Sequence, residues 1–286
     1  MTVYRYCGRD FPADEILLIR RLIAEDASRS RAELSRLTCE ALRWYKADGG
    51  LKDMSARVAM LRMQDDGLIT LPPPRKPRPD PRVRLRERSA PGDPILAPAG
   101  ALAPLHWVRV EQKADSRLWN ELIERYHYLG HKPLPGAQMR YLIYSAQQPI
   151  AALGFGAAAW QCAPRDRFIG WDHTQRQRNL ALIVNNARFL ILPWVQSRNL
   201  ASMILGQAAR LLPDHWLSIY GYRPVLLETF VEKDRFQGTC YKAANWHYLG
   251  QTQGRGKLGP AGKQSVPIKD LWVLPLDRRF RDRLTD

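Results

Sequence analysis

The sequence contains no run of about 18 apolar residues, so it predicts no transmembrane helix. Arg5 and Arg9 are not followed by the long apolar stretch of a secretory signal peptide. The four cysteines are Cys7, Cys39, Cys162 and Cys240. None has the CxxC or Cys/His spacing of a structural zinc site. We therefore expect a cytoplasmic protein with free thiols, without a membrane partner.

Acidic residues are scarce. The 286 residues include 28 Asp and Glu against 44 Lys and Arg, which gives a net charge of +16 and a pI near 10.0. A protein that neutralises phosphates releases their condensed counterions, so this excess predicts a nucleic acid partner, most simply DNA. An anionic membrane surface is the alternative, but no basic amphipathic helix is evident. The length favours one small and one medium domain.

Residues 1–72 are predicted to form a winged-helix-like DNA-binding domain. Apolar periodicity indicates a helix over 14–26, and a second begins near Arg31 after the capping box Ser30-x-x-Glu33. Asp53 is a candidate cap for a third helix that ends at Gly67. Residues 68–71 are predicted as a short strand, the wing. The alternative is a small helical domain that binds another protein.

The third helix is predicted to enter the DNA groove, since recognition helices contact bases through their N-terminal residues. The predicted DNA contacts of this domain are Arg29, Arg31, Arg36, Lys52, Ser55 and Arg57. Residues 73–104 are predicted as a Pro/Arg-rich linker, in which Arg75, Lys76 and Arg78 would track phosphates without reading sequence. A linker that only raises solubility is the alternative.

Residues 105–286 are predicted to form a mixed α/β domain around a central sheet, so that the whole chain is α+β. A helix is expected to end near Tyr126. The other expected elements are strands over 139–144, 150–155 and 168–171, apolar runs over 180–184 and 187–192, a helix over 200–212, a strand over 225–231, a helix from Tyr241 and a strand over 272–276.

Glu228 interrupts an otherwise apolar strand, where a carboxylate is unfavourable unless it is paired, ligated or functional. It is a candidate general base or metal ligand, and Asp166, at a predicted strand start, is a candidate to share a metal ion with it. The alternative is an ion pair of Glu228 with Arg167 or Arg188. His127, in an aromatic cluster, is a candidate acid or base, or else a structural histidine.

The segment 190–202 predicts an anion site, because an apolar strand runs through a loop into a new helix. Free N–H groups and the positive end of the helix dipole would face the loop, beside Arg198, Asn199 and Ser202. Asn199 tolerates the left-handed conformation that such a loop needs. The alternative is that Ser197 or Asn199 only caps the helix.

Several motifs together resemble the Druantia A family. They are Ser30-x-x-x-Leu34-Ser35-x-x-x-Cys39-Glu40, Lys52-Asp-Met54, Arg125-Tyr-His-Tyr-Leu-Gly130, Arg165-Asp-Arg-Phe-Ile-Gly-Trp171, Asn186-x-Arg188-Phe-Leu-Ile-Leu-Pro193, Glu228-Thr-Phe-Val231 and Gly238-Thr-x-Tyr241-x-Ala-Ala-Asn245-Trp246. This resemblance implies a role in anti-phage defence or in mobile DNA, with other defence proteins such as a helicase as partners. It supplies no catalytic residue.

From Gly154 to Gln253 the order of elements is similar to that of the GNAT acetyltransferases. In that fold the loop corresponding to Gln196-x-x-Asn199-x-Ala201 binds the pyrophosphate of acyl-coenzyme A, and a tyrosine at the position of Tyr241 acts as an acid. Here Asn199 stands where those enzymes have a glycine. The resemblance therefore implies a GNAT-like fold, with acyl-coenzyme A as a candidate cofactor.

Three functions remain open from the sequence. The first, which we favour, is a DNA-modifying or DNA-processing enzyme in which Glu228, Tyr241, Asn199 and Asp166 face one cleft. The second is a transposase- or nuclease-like strand-transfer enzyme that uses a divalent metal ion on Asp166 and Glu228. The third is a non-catalytic DNA sensor that recruits partner proteins.

Overall fold

The computed structural model describes residues 3–45, 49–74, 83–134, 136–254, 264 and 266–286, and the chain divides into two units, 1–81 and 82–286. The first unit begins with an antiparallel hairpin and continues with three helices. Its elements are β1 (Val3–Tyr6), β2 (Arg9–Pro12), α1 (Ala13–Glu25), α2 (Arg31–Ala41) and α3 (Asp53–Asp65).

The three predicted helices of the first unit are present within a residue or two of their expected ends. Ser30 is the N-cap of α2, and its side chain accepts a hydrogen bond from the Glu33 amide at 3.2 Å. Asp53 does not cap α3 but is its first residue, and Lys52 precedes it as the N-cap. The capping motif therefore located α2 correctly and α3 one residue late.

The predicted wing is absent from this unit, since residues 68–71 form no strand. Ile69 and Leu71 are buried in the core, and the Leu71 amide donates to the Gln64 side chain instead of a neighbouring strand. An extended apolar segment has the same sequence pattern whether it pairs with a strand or only fills a core. The only strands among the described residues of this unit are those of the N-terminal hairpin, which the sequence analysis did not predict.

Helix α3 was expected from the sequence to turn Met54, Val58 and Leu61 inward, and its buried face is a different one. Ala56, Ala59, Met60 and Met63 are buried, whereas Met54 is 60% exposed. The buried face of α3 therefore consists of two alanines and two methionines, and Met54 in the first turn lies outside the core.

The second unit contains a seven-stranded sheet with helices on both faces. Its strands are β3 (His106–Arg109), β4 (Met139–Ser145), β5 (Gln148–Ala157), β6 (Ile183–Ile191), β7 (Leu226–Glu232), β8 (His247–Gln251) and β9 (Lys269–Pro275). Its helices are α4 (Lys113–Tyr126), α5 (Ala163–Ile169), α6 (His173–Asn179), α7 (Leu200–Tyr220), α8 (Thr239–Ala243) and α9 (Phe280–Thr285). The strand order is β3-β4-β5-β6-β7-β9-β8, and only the β6–β7 pair is parallel. The predicted mixed α/β domain is confirmed.

Helices α4 and α7 cover opposite faces of the sheet. Tyr141 of β4 contacts His215 of α7, while the preceding Arg140 donates to Asn120 of α4. Successive side chains of a strand point to opposite faces, so the two helices lie on either side of β4. Trp119 of α4 is buried and donates its indole N–H to the carbonyl of Leu153 in β5.

Two predictions for this unit need correction. Residues 168–171 are not a strand, because α5 ends at Ile169 and Gly170 terminates it with φ 83°. The apolar runs 180–184 and 187–192 are not separate elements, since 183–191 form the single strand β6. The expected break is a β-bulge at Ala187, where the pairing with β5 changes register, so the Asn pair before it marks a kink in one strand.

The segment predicted as a linker joins the second unit from residue 83 onward. The Ile95 amide donates to the Trp194 carbonyl, and the Gln196 amide donates to the Ile95 carbonyl. The Ala99 amide donates to the carbonyl of Arg198. Residues 83–104 are therefore part of the unit's folded surface, because their backbone groups find partners there.

None of the helices in the described part of the chain is long and apolar enough to cross a membrane. The four cysteines are all free, with Cys39 and Cys162 buried and Cys7 exposed.

Gly154 of β5 marks a tight contact between the sheet and α4. A Cβ atom there would lie 2.8 Å from the ring of Trp119 and 3.2 Å from Leu134. We expect Gly154→Ala to destabilise the second unit by about 1–3 kcal/mol, because the core is overpacked. Urea unfolding followed by tryptophan fluorescence measures this change.

Gly206, inside α7, provides the matched control, since a Cβ there meets no atom within 4 Å. Gly206→Ala is expected to stabilise the same unit by about 0.5–1 kcal/mol through helix propensity. Equal stability of the two variants would contradict the packing described here.

Candidate functional site: a cation–aromatic cluster beside β6 and β7

The parallel ladder between β6 and β7 is short. It consists of the pairs Ile183–Leu226, Val184–Leu227 and Asn185–Glu228. Beyond these pairs, side chains replace the ladder. Thr229 Oγ1 donates to the Asn186 carbonyl at 3.0 Å, and the Tyr241 hydroxyl donates to Asn186 Oδ1 at 2.9 Å. Beyond the end of the ladder, side chains therefore fill the space between β6 and β7.

Tyr241, the residue at the position of the GNAT acid, is one of these side chains. It is buried, and burial raises the pKa of its hydroxyl well above the usual value. Its single proton is already directed at Asn186 Oδ1. In this arrangement the hydroxyl joins α8 to β6 and is not free to protonate a leaving group.

Glu228 and Asp166 belong to a buried ion network around Arg165. The Arg165 Nη1 atom donates to Glu228 Oε2 at 2.9 Å, and both Arg165 and Glu228 are fully buried. The Arg165 Nη2 atom donates to Asp166 Oδ1 at 2.8 Å. The Ala159 amide donates to the second Glu228 oxygen at 2.7 Å. Every Glu228 oxygen therefore has a protein partner.

The expected ion pair of Glu228 is thus present, but its partner is Arg165 rather than Arg167 or Arg188. Asp166 lies on helix α5, not at a strand start, and it also accepts hydrogen bonds from Trp171 Nε1 and the Cys162 amide. The two carboxylates hold one guanidinium between them. Across the described residues, no group of three His, Cys, Asp or Glu side chains is placed to hold a metal ion.

His127 is neutral at pH 7. Burial, reinforced by the nearby positive charge of Arg188, lowers its pKa to about 4. Its Nδ1 atom accepts a hydrogen bond from the Leu129 amide at 3.2 Å, so the ring proton resides on Nε2. A histidine with this tautomer is a hydrogen-bond donor and a weak base.

Arg188 is a half-buried cation of β6. Its Nη1 atom donates to the Ala187 carbonyl, and its Nε atom is buried without a hydrogen-bond partner. Burial lowers the pKa of its guanidinium. No carboxylate forms a salt bridge with it among the residues that the structure describes, which is unfavourable for a half-buried cation.

Other charges surround Arg188. Lys269 of β9 is half-buried, and burial together with Arg188 lowers its pKa, an effect that Glu232 opposes. Glu232 is the cross-strand neighbour of Lys269 and pairs with Arg235 Nε at 3.2 Å. Lys269 and Arg235 therefore share the Glu232 carboxylate, while Arg188 forms no salt bridge with it.

Aromatic rings lie beside these charges. The rings of His127 and Tyr128 are stacked with centroids 4.9 Å apart, and Phe236 lies 5.2 Å from Tyr128. The Arg235 guanidinium carbon is 5.2 Å from the centre of the Tyr128 ring. We call Arg188, Arg235, Lys269, Glu232, His127, Tyr128 and Phe236 the cation–aromatic cluster.

A second arginine extends the positive charge across the sheet. Gly154 pairs with Arg140 on one side and with Arg188 on the other, so the three residues lie in one row on the α4 face. Arg140 is also half-buried, and burial lowers its pKa. Its guanidinium lies over the Trp119 ring and donates to the Asn120 side chain, with no acid beside it.

The predicted anion site at the start of α7 is a separate, open cavity of about 470 Å³. Asn199 has the expected left-handed conformation, with φ 64°, and its side chain makes no capping hydrogen bond. The cavity is lined by Pro98, Ala99, Gly100, Arg198, Asn199, Ser202, Met203 and Ala243. Neither Glu228 nor Tyr241 lines it.

Part of this loop is bonded within the protein. The Gln196 amide donates to the Ile95 carbonyl and the Ala99 amide to the Arg198 carbonyl, so residues 95–99 line one side of the loop. The Tyr241 hydroxyl is committed to Asn186. We therefore derive no chemical step through acyl-coenzyme A.

The predicted DNA contacts of the first unit differ in their availability. Arg29 pairs with Glu25 and donates to the Leu22 carbonyl, while Arg31 donates to Pro72. Arg36 is exposed. Lys52, Ser55 and Arg57 are half-buried around the start of α3, and Arg57 is 4.0 Å from Asp53. Arg75, Lys76 and Arg78 lie outside the described residues.

A family model, "Druantia protein DruA", matches residues 79–283. The chain belongs to the DruA family. This defence-associated family was the first of the two resemblances found in the sequence, and its model covers the whole cation–aromatic cluster. No match was found among curated protein sequences.

Several solved structures are similar to this DruA-family chain. A chimera of spermidine N-acetyltransferase from Vibrio cholerae and hSSAT has 12% identity, covers 61% of this chain and 96% of its own, and has a TM-score of 0.40. A polyamine N-acetyltransferase of Drosophila melanogaster has 10% identity, 59% and 100% coverage, and a TM-score of 0.37. An acetyltransferase of Bacillus subtilis, solved with CoA, has 8% identity, 60% and 98% coverage, and a TM-score of 0.38. Nothing about activity follows from likenesses of this size.

Most of the cluster was not predicted from the sequence. His127 was predicted as a candidate acid or base and Arg188 only as a partner of Glu228, while Lys269, Arg235 and Phe236 were not predicted. The sequence did contain one indication of the cluster, which is Arg188 in the apolar run 187–192. A charged side chain in such a run, like Glu228 in its strand, is unfavourable unless it has a partner or a function.

The ion network predicts a structural role for Glu228. We expect Glu228→Gln to lower the free energy of unfolding of the second unit by about 3–5 kcal/mol, since Arg165 keeps a buried charge without full compensation. Glu111→Gln, at a side chain that is 58% exposed, should change it by less than about 0.5 kcal/mol. Chemical unfolding followed by tryptophan fluorescence distinguishes the two. A fully stable Glu228→Gln protein would support a functional carboxylate instead.

The lowered pKa of His127 predicts a loss of stability in mild acid. Between pH 6.5 and about 4 the unfolded chain binds a proton at this residue that the folded chain does not bind, so stability falls as the pH falls through this window. His127→Asn keeps an acceptor for the Leu129 amide but cannot titrate. We expect the variant's melting temperature to fall less than the wild type's from pH 6.5 to 4. Parallel pH profiles of the two proteins would contradict this assignment.

Proposed function

We propose that this DruA-family protein binds DNA, that the cation–aromatic cluster contacts the phosphate backbone, and that this binding is its part in defence against phage. The observation that carries the proposal is Arg188, a half-buried guanidinium with an unpartnered Nε atom and no carboxylate in a salt bridge with it.

A phosphate would supply what the protein does not give this residue. A phosphate oxygen accepts charge-assisted hydrogen bonds from a guanidinium, and it balances the charge that burial makes unfavourable. Lys269 and Arg235 lie in the same cluster, with Glu232 as their one acidic neighbour. The net charge of +16 supports a polyanion over a small acidic ligand.

The first unit is proposed to add DNA contacts as a helical, winged-helix-like module without the predicted wing. Arg36 supports this role, since it is exposed. Arg29 and Arg31 support it less, because both donate to carbonyl groups of their own unit. The basic residues 75–78 are proposed as phosphate contacts on the basis of their sequence alone.

Among the three functions left open by the sequence, the geometry favours a DNA sensor that recruits partner proteins such as a helicase. Three of the candidate acids and bases are engaged within the protein: Glu228 and Asp166 with Arg165, and Tyr241 with Asn186. His127 accepts from the Leu129 amide at Nδ1 and is neutral, so only its weakly acidic Nε2 proton is left to donate. A DNA-modifying enzyme needs at least one such group to face its substrate. Metal-dependent strand transfer gains no support from two carboxylates that share a guanidinium.

Arg188→Gln tests the proposal. We expect it to weaken DNA binding about tenfold and to reduce the slope of log K against log salt by roughly 0.7–0.9, the contribution of one phosphate contact. Arg210→Gln is the matched control, because this substitution removes the same charge. Arg210 is exposed on α7, which covers the face of the sheet opposite to Arg188. Fluorescence anisotropy with labelled DNA at several salt concentrations measures both.

An absence of salt-dependent DNA binding by the wild-type protein would refute the proposal. Equal losses in the two arginine variants would also contradict it, since binding would then depend on net charge and not on the cluster.

A further inference from the structure

We infer that the cluster is selective for unpaired nucleotides, with Tyr128 and Phe236 forming a platform on which a base of single-stranded DNA stacks. This inference rests on the proposed function, since it names the form of DNA that the same site takes. It depends on a different part of the cluster, the aromatic rings, and not on Arg188.

The exposure of the platform points to a ligand with a flat apolar face. Phe236 is 47% exposed although it lies in a short turn where a polar residue would be expected. Its ring is tilted by 59° to that of Tyr128, with centroids 5.2 Å apart. The Tyr128 ring stacks on the His127 ring, so the protein covers one face of Tyr128. Phe236 is the exposed member of this pair and offers a ring face to a base, while the half-buried Tyr128 supports it from the side of the protein.

The backbone holds Phe236 in place. The Glu232 carbonyl accepts hydrogen bonds from the amides of Arg235 and Phe236, which closes the turn after β7. Gly238 follows with φ 68°, and a Cβ atom there would lie 2.7 Å from Trp272 Nε1. Only glycine allows this close approach to Trp272, so the turn has a fixed position against β9.

The charges next to the rings select the kind of ligand. The Arg235 guanidinium lies 5.2 Å from the Tyr128 ring centre, and the Arg188 charge is close enough to lower the pKa of His127. A base stacked on the platform would bring its own phosphate towards these cations. An apolar peptide would gain from the rings but would leave the cations unpaired, so a nucleotide fits the cluster better.

Base pairing decides which form of DNA can reach the platform. In a duplex the faces of the bases are covered by their neighbours, so a protein ring cannot stack on them unless a base leaves the helix. A single strand exposes these faces along its whole length. The platform therefore favours single-stranded DNA, while Arg188 and Lys269 would contact phosphates of either form.

The test uses the full chain and three probes of about twelve nucleotides each: a thymidine strand, a strand of the same length with abasic sites in place of the bases, and a duplex. The variants are Phe236→Leu, which keeps an apolar side chain without a ring, and Phe236→Tyr, which keeps the ring. We expect Phe236→Leu to bind the thymidine strand at least about fivefold more weakly and Phe236→Tyr to bind it like the wild type. Binding of Phe236→Leu to the abasic strand and to the duplex should be unchanged.

The outcomes separate the two proposals. If the wild type binds all three probes with similar affinity and Arg188→Gln weakens all three, DNA binding stands and the stacking platform is refuted. Equal losses of Phe236→Leu on the thymidine and abasic strands refute it too. If the wild type binds none of the probes, the proposed function fails and this inference fails with it.

Discussion

The short parallel ladder between β6 and β7 is the constraint on which the rest of the second unit depends. Only three residue pairs join these strands, and the last is Asn185–Glu228. At Asn186, the Thr229 hydroxyl donates to the backbone carbonyl in place of a strand amide, and the Tyr241 hydroxyl donates to the side-chain oxygen. β6 therefore keeps β5 as its only strand partner along its second half, and the bulge at Ala187 turns it. Arg188 follows directly, so its half-buried position is a consequence of where the ladder ends.

The ion network around Arg165 holds β7 at this same end of the ladder. Glu228 is the last residue of β7 that pairs with β6, and its carboxylate is bonded to Arg165 and to the Ala159 amide. Asp166 holds the opposite side of the same guanidinium. An isolated charge in this core would be strongly unfavourable, and the three groups are tolerated because they satisfy one another. Glu228 and Asp166, which the sequence suggested as catalytic or metal-binding carboxylates, thus bind Arg165 and hold α5 against β7.

The sequence predicted what depends on local patterns and missed what depends on pairing. Helices α1, α2, α4 and α7 were expected because apolar spacing and the Ser30 cap are local signals. The left-handed Asn199 was expected for the same reason. The partner of Glu228 was not identified, because Arg165 is 63 residues away and only the fold brings them together. The strand over 168–171 was wrong because a seven-residue helix has too few turns to show its period. No local sequence pattern pointed to Phe236, because its importance depends on its contact with Tyr128, which is distant in the sequence.

Arg140, Gly154 and Arg188 form a row that brings unpaired positive charge to one face of the sheet. Gly154 leaves no room for a side chain, because a Cβ atom there would lie 2.8 Å from Trp119 and 3.2 Å from Leu134. Each arginine is half-buried, and neither forms a salt bridge with an acid in the part of the chain that the structure describes, so an anion would be favourable for both. His127 adds no further positive charge to this row, because its pKa is lowered to about 4 and the ring is neutral at pH 7. Its Nδ1 atom accepts from the Leu129 amide, which leaves the Nε2 proton as a hydrogen-bond donor. Two unpaired guanidinium groups beside a neutral donor suit an anion, which is why the proposed function puts a phosphate at this row.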